Sequence, residues 1–137
     1  MSNVQEVVEG LVAAWNAHDA EQAQSFYAPD CEEIDVALRE PQCGSARIRK
    51  LINYYLRAFP DVQVRVDEIV SAGNRAALSW TWHGTHRGRF MNIPPTQRPV
   101  TVQGATFITL RNGRIHRVTR VWDVAGLLRS LGLLPEL

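Results

Sequence analysis

A chain of 137 residues, 45% hydrophobic and 21% charged, is the size of one domain and can bury a core without disulfides or metal. Its 15 basic residues stand against 14 acidic ones for a net charge of +1, a balance that gives no basis for a nucleic-acid or membrane-surface partner. The opening MSNVQEVVEG lacks the basic start and apolar stretch of a secretory leader, and no segment approaches the roughly 18 apolar residues that span a bilayer, so a cytoplasmic protein is expected.

The first helix is predicted over residues 4–17, where Val4, Val7, Val8, Leu11, Val12 and Trp15 share one face. Asn3 and Glu6 have the spacing of a capping box. A short second helix starts at Asp19, with Gln22 three residues on and Ala23, Phe26 and Tyr27 as its apolar side; Pro29 and Asp30 end it. Ile34, Val36 and Leu38 then alternate with Asp35 and Ala37, which predicts a short half-buried strand. Gly44 and Ser45 open a third helix whose apolar face is Ile48, Leu51, Ile52, Tyr55, Leu56 and Phe59, and Pro60 stops it. The basic residues Arg47, Arg49 and Lys50 form a solvated face of that helix.

Strands follow. Val62, Val64 and Val66 alternate with polar residues, and Gly73 and Asn74 turn the chain. Residues 75–90 read as a long strand. Residues 92–99 read as a loop, because their three prolines cannot donate to a ladder. Strands at 100–110 and 114–123 meet at Asn112-Gly113, the strongest hairpin signal in the chain. A last helix covers 124–131, with Gly132 just beyond it. Cys31 and Cys43 have no metal-ligand spacing; a bridge between them can be drawn, but two reduced thiols suit a cytoplasmic chain better. Helices ahead of an antiparallel meander give an α+β domain over residues 1–137. The expected form is a cone-shaped barrel: a strongly curved, mostly antiparallel sheet covered by the N-terminal helices and a short C-terminal helix. Its hollow would suit a single small molecule.

Several segments, in order, resemble one family. They are Trp15-Asn16-Ala17-His18-Asp19, Tyr27-Ala28-Pro29-Asp30, Ala58-Phe59-Pro60-Asp61, the run from Gly84 to Phe90, Pro94-Pro95-Thr96, Asn112-Gly113-Arg114-Ile115, Trp122-Asp123 and the run from Leu127 to Gly132. Together they resemble the SnoaL-like polyketide cyclases, of the wider superfamily of nuclear-transport-factor-two-like α+β cones. The resemblance implies aromatic polyketide tailoring, as in antibiotic biosynthesis, by intramolecular aldol condensation without metal or organic cofactor. It also implies a homodimer or higher homo-oligomer and a small planar hydrophobic substrate. Isomerases, hydroxylase-related relatives that depend on a partner protein, and non-catalytic binders share the superfamily, so the fold leaves the reaction open.

The candidate residues follow from both sources. The family's catalytic aspartate, a base that removes a proton from carbon, falls at Asp123. The residues by themselves leave two roles open there: a base whose pKa is raised between an apolar strand and helix, or the N-cap of the last helix. His86 lies in the matching Gly-Thr-His segment and either polarises a substrate carbonyl or binds backbone near the Pro-rich loop. His83, by period-two counting, takes the opposite strand face. Asp35 is either a second pocket carboxylate or an exposed strand residue. Trp80 and Trp82 share a face that lines the hollow or covers a dimer interface. Trp15, Tyr54, Phe107, Thr109 and Thr119 complete the expected substrate-binding set, with Thr119 and Val121 on the strand face of Asp123. Arg120 and His116, of the other parity, are expected to face away from the hollow. Thr109 stands where the cyclases carry an assisting histidine, Phe107 where they carry a polar side chain, and Val118-Thr119 where a His-Trp pair is common. These departures keep the hydroxylase-type, isomerase-type and binding alternatives in play beside the aldol cyclase.

Overall fold

The computed structural model describes residues 3–137; Met1 and Ser2 of the opening segment lie outside the described residues. Helix α1 (Val4–Asn16) starts where expected. The Asn3 side chain accepts from the Glu6 amide at 2.8 Å, and its own amide donates to the Glu6 carboxylate at 3.2 Å, so two groups of the first turn satisfy each other. Asp19 caps α2 (Ala20–Gln24) through the Gln22 amide at 3.0 Å. Asn16, at the end of α1, donates to the Val64 carbonyl at 3.0 Å and accepts from the Val64 amide at 2.6 Å. That side chain imitates a strand neighbour and ties the helix to the sheet.

The sheet has six strands: β1 (Tyr27–Asp35), β2 (Gln42–Cys43), β3 (Gln63–Ala72), β4 (Arg75–Thr85), β5 (Pro99–Arg111) and β6 (Arg114–Trp122). Helix α3 (Ser45–Ala58) lies between β2 and β3, and α4 (Val124–Ser130) follows β6. The spatial order is β2-β1-β6-β5-β4-β3. The expected barrel is therefore corrected. The sheet is open, with β2 at one edge and β3 at the other, and it is mixed, because β1 runs parallel to β6. A closed barrel needs the two edge strands of its sheet to pair with each other; here the edges are β2 and β3, which do not pair. The α+β class stands. No described helix is long and apolar enough to cross a membrane, and Cys31 and Cys43 are both free, the first buried and the second exposed.

Hairpin chemistry behaves as the sequence predicts. Asn112 and Gly113 both take positive φ, 53° and 77°, the backbone that matches strand twist in a two-residue turn. After α4 the Gly132 amide bonds the Arg129 carbonyl and the Leu133 amide bonds the Leu128 carbonyl, both at 2.9 Å, with Gly132 at φ 79°. This pair of bonds closes the helix end.

The strand faces are the main correction. On β5, Val100, Val102, Thr106, Ile108 and Leu110 are buried, whereas Phe107 is 52% exposed. Register pairs Thr106 with Arg120, Ile108 with Val118 and Gly104 with Trp122. The even-numbered residues of β5 therefore face the helices, with Val118, Arg120 and Trp122 of β6; a register shift between Thr109 and Leu110 puts the odd-numbered Ile115, fully buried, on that same face nearer the turn. Phe107, Thr109 and Thr119 line a groove on the opposite face with Val70, Arg75 and Arg117. In β1 the inward residues are Cys31, Glu33 and Asp35, while Val36 beyond the strand is 57% exposed. A one-residue choice of face moves every side chain of a strand, and β1, β5 and β6 all take the face opposite to the expected one.

Gly104 shows how closely the inner face is packed. A Cβ there would fall on the Trp80 indole, with Cη2 at 2.6 Å, and on the Val121 carbonyl oxygen at 2.7 Å. The indole thus lies over bare backbone, its Nε1 donating to the Thr106 hydroxyl at 2.8 Å. Gly104→Ala is expected to displace the ring and cost about 1–3 kcal/mol, the usual range for overpacking, read as a lower urea midpoint. An unchanged midpoint would contradict this placement of Trp80.

Candidate active site

Between the helices and the inner face of the sheet lies a cavity of about 100 Å³. Helix α1 contributes Val8, Leu11, Val12 and Trp15, and Tyr55 and Phe59 come from α3 and its end. The sheet supplies Trp80 and Trp82 from β4, Thr106 and Ile108 from β5, and Val118, Arg120 and Trp122 from β6. Tyr27 closes the β1 side. Apolar residues at helical spacing meet alternate strand residues here, so the cavity is a direct product of the two periodicities. Aliphatic and aromatic side chains share its walls.

The polar end sits where β1 and β6 run side by side. Arg120 donates from Nη2 to the Glu33 carboxylate at 3.1 Å, and both side chains are largely withdrawn from solvent. Asp35, 3% exposed, accepts from Trp122 Nε1 at 3.0 and 3.1 Å and from the Ala37 amide at 2.9 Å. Burial opposes the Arg120 charge, but Glu33, with Tyr27, Tyr55 and Asp35, more than offsets this, and its pKa lies above the ordinary arginine value. Burial raises Tyr27 well beyond the usual phenol range and pushes Tyr55 up to about 12. Both phenols therefore keep their protons at neutral pH. Among the described residues that line the cavity, Arg120 is the one charged side chain, and no carboxylate or imidazole joins it.

The expected site residues separate into three groups. Trp15, Trp80 and Trp82 line the cavity, and Asp35 stands behind it, fixing the indole of Trp122. Phe107, Thr109 and Thr119 are on the other face of the sheet. Tyr54 and His86 serve the Pro-rich loop: the Tyr54 hydroxyl accepts from the Met91 amide at 2.6 Å, and its ring stacks on Phe90 at 5.3 Å. Asp123 is exposed and accepts from the Gly126 amide at 2.8 Å as the N-cap of α4. It does not border the cavity. Its amide still bonds the Gln103 carbonyl of β5 at 3.0 Å, one residue past the end of β6.

Sequence reasoning passed over Tyr27, Glu33, Tyr55 and Arg120 as site residues. Half of a signal for Arg120 was present. The even residues Val100, Val102, Ile108 and Leu110 are apolar, but regular pairing across the Asn112-Gly113 turn would carry that face to Ile115, Arg117 and Thr119; a register shift between Thr109 and Leu110 moves it to Val118 and Arg120, and the sequence carries no sign of that bulge. Glu33 and Tyr27 gave no such signal, since only the parallel pairing of β1 with β6 brings them in. No group of three or more His, Cys, Asp and Glu among the described residues could hold a metal ion.

His86 is fully buried. The Thr96 amide donates to its Nδ1 at 3.1 Å, so the ring proton is on Nε2, which has no partner among the described residues. Its backbone bonds Arg98 and Gln97, both at 2.9 Å, and its ring packs 5.7 Å from Phe59. It is the knot of the loop at 87–98. Burial lowers its pKa below the ordinary histidine value. The unfolded chain then binds a proton that the folded chain refuses, so His86 contributes stability that is present above about pH 6.5 and is lost as pH falls below it. His86→Gln should flatten this part of the stability–pH curve between about pH 5 and 7. An unaltered curve would contradict the assignment.

Comparison with known proteins agrees with this architecture. The family model for SnoaL-like polyketide cyclases matches residues 5–131. The chain is similar to AclR, a candidate hydroxylase from Streptomyces galilaeus, with 30% identity over 97% of this chain and 87% of that one, at a TM-score of 0.85. It is also similar to IdmH, a candidate polyketide cyclase from Streptomyces antibioticus, with 27% identity over 93% and 97% and a TM-score of 0.80. TsrD from Streptomyces laurentii, 24% identical over 96% of each chain at a TM-score of 0.85, shares the fold. A search of curated proteins finds no match. The chain belongs to the SnoaL-like polyketide cyclase family.

Proposed function

We propose that the protein is a hydroxylase-type tailoring enzyme of aromatic polyketides rather than an aldol cyclase. One observation carries the reading. The described residues lining the cavity include a cation, Arg120, and hydroxyl donors, but no carboxylate or imidazole to act as a base. Such a site favours a ligand that already holds, or readily gains, negative charge on oxygen. The similarity to AclR supports the same direction. The enclosed volume suits the end of a planar ring system, slotted between Trp80, Trp82 and Trp15, with the rest of the ligand passing the half-buried Tyr55 and Trp122. Aromatic faces add stacking to area burial.

Hydroxylation puts one atom of dioxygen into a carbon–hydrogen bond and releases the other as water, which takes two electrons and two protons. Dioxygen is the oxidant, and a separate reductase supplies the electrons. The protein contributes an oriented, shielded ring and a fixed positive charge beside its oxygen.

Incubation with an anthracycline-type intermediate, with and without a reductase, followed by mass spectrometry, checks the reaction. Gain of one oxygen atom is expected with the reductase; loss of water or a product of unchanged mass, as ring closure gives, would reject the reading, and fragmentation of an unchanged-mass product would separate a cyclised from an isomerised one. Arg120→Met, made together with Glu33→Gln so that no buried charge is orphaned, should lower turnover by about a hundredfold, the scale of losing an oxyanion donor. Asp123→Asn should leave turnover within about twofold, because asparagine caps a helix as well as aspartate does. Collapse of activity in that variant would restore Asp123 as the base.

A further inference from the structure

The guanidinium of Arg120 has five N–H donors in a planar fork. Among the described residues one bond leaves it, from Nη2 to Glu33. Its remaining donors, and the hydroxyls of Tyr27 and Tyr55, enter no bond among the described residues and belong to side chains that line the cavity. Donors on side chains that line a cavity are available to a ligand's acceptors. The charged and titratable neighbours of Arg120 are Glu33, Asp35 and Tyr27 from β1, with Cys31 beside Tyr27, and Tyr55 from α3. Helix α1 presents Val8, Leu11, Val12 and Trp15 and no charge. The carboxylates do not line the cavity, so a ligand oxygen would touch the cation directly and meet the anions from behind it. At unequal distances the nearer charge dominates.

On the reading of the cavity as an aromatic-ligand site, we infer that it binds its ligand as an ionised phenol or enol, with the oxyanion held by Arg120 and by donation from Tyr27 and Tyr55. The ligand class is thus a planar aromatic with an acidic hydroxyl at its buried end. Neutral rings of the same shape bind less tightly. The inference goes beyond the hydroxylase reading, because a cyclase or a simple binder with this site would show the same preference.

Alizarin, a dihydroxyanthraquinone whose colour reports its ionisation, tests the point, with anthraquinone as a partner that has no hydroxyl. Bound alizarin should ionise at a pH about one unit or more below that of the free dye, equivalent to a tenfold preference for the anion. Arg120→Lys should keep part of the shift, since it keeps the charge and loses the fork. The double variant Glu33→Gln/Arg120→Met, its fold checked by circular dichroism, should lose the shift and still bind anthraquinone. Ionisation at or above the free-dye pH, or a shift that survives in the double variant, would overturn the inference while leaving the aromatic-ligand reading intact. Failure of the wild-type protein to bind either dye would overturn both.

Discussion

The Arg120–Glu33 pair is the interaction on which the arrangement turns. It spans the parallel junction of β1 and β6, where Glu33 stands opposite Val118 and Asp35 opposite Arg120. A buried arginine without a carboxylate would carry a large desolvation cost, and breaking such a pair typically costs 3–5 kcal/mol. The pair thus ties the insertion of the first strand beside the last to the presence of a charge in the cavity. An apolar replacement would satisfy the core equally well; the ion pair makes sense as a device that holds a cation at the edge of a ligand.

The remaining parts of the site serve that placement. Asp35 gathers three donor contacts and holds the Trp122 indole. Thr106 and the bare backbone of Gly104 fix the Trp80 indole from the other side. Asn16 ties α1 to β3 and so sets the lid of aliphatic and aromatic residues above the sheet. His86 and Tyr54 organise the loop at 87–98, which packs Phe90 against Phe59 and Tyr55. These contacts hold a polar group and flat walls in a fixed relation, the preorganisation that a site needs before any reaction can be assigned to it.

Much of the fold was legible because it rests on local rules. The caps at Asn3, Asp19 and Gly132, the turn at Asn112-Gly113 and the apolar faces of α1 and α3 depend on neighbours a few residues away. The open sheet and the parallel β1–β6 pairing were not legible, since they join segments about 85 residues apart, as in Ile34 with Thr119. The site failed in a more instructive way. Taking Asp123 as inward-facing drew Thr119 in by strand parity, and hairpin spacing from Asn112-Gly113 placed Phe107 and Thr109 inward, a spacing that the register shift between Thr109 and Leu110 alters. The alternation Val100, Val102, Ile108 and Leu110 pointed to the other face, and it has the better physical basis, because burial of apolar surface decides which side of a strand faces the core. In β1 the apolar Ile34 and Val36 misled for the opposite reason: the buried partners of Arg120 are charged. Asp123 combines a favoured capping residue with a family position, and the geometry gives it the capping bond.

The most direct test of the account is a crystal structure with the alizarin anion bound. The account predicts the ring edge between Trp80 and Trp15, with a ligand oxygen within hydrogen-bond distance of Arg120 and of the Tyr27 or Tyr55 hydroxyl. A ligand oxygen directed at Asp123, or a ligand seated against Phe107 and Thr119 on the opposite face, would contradict it.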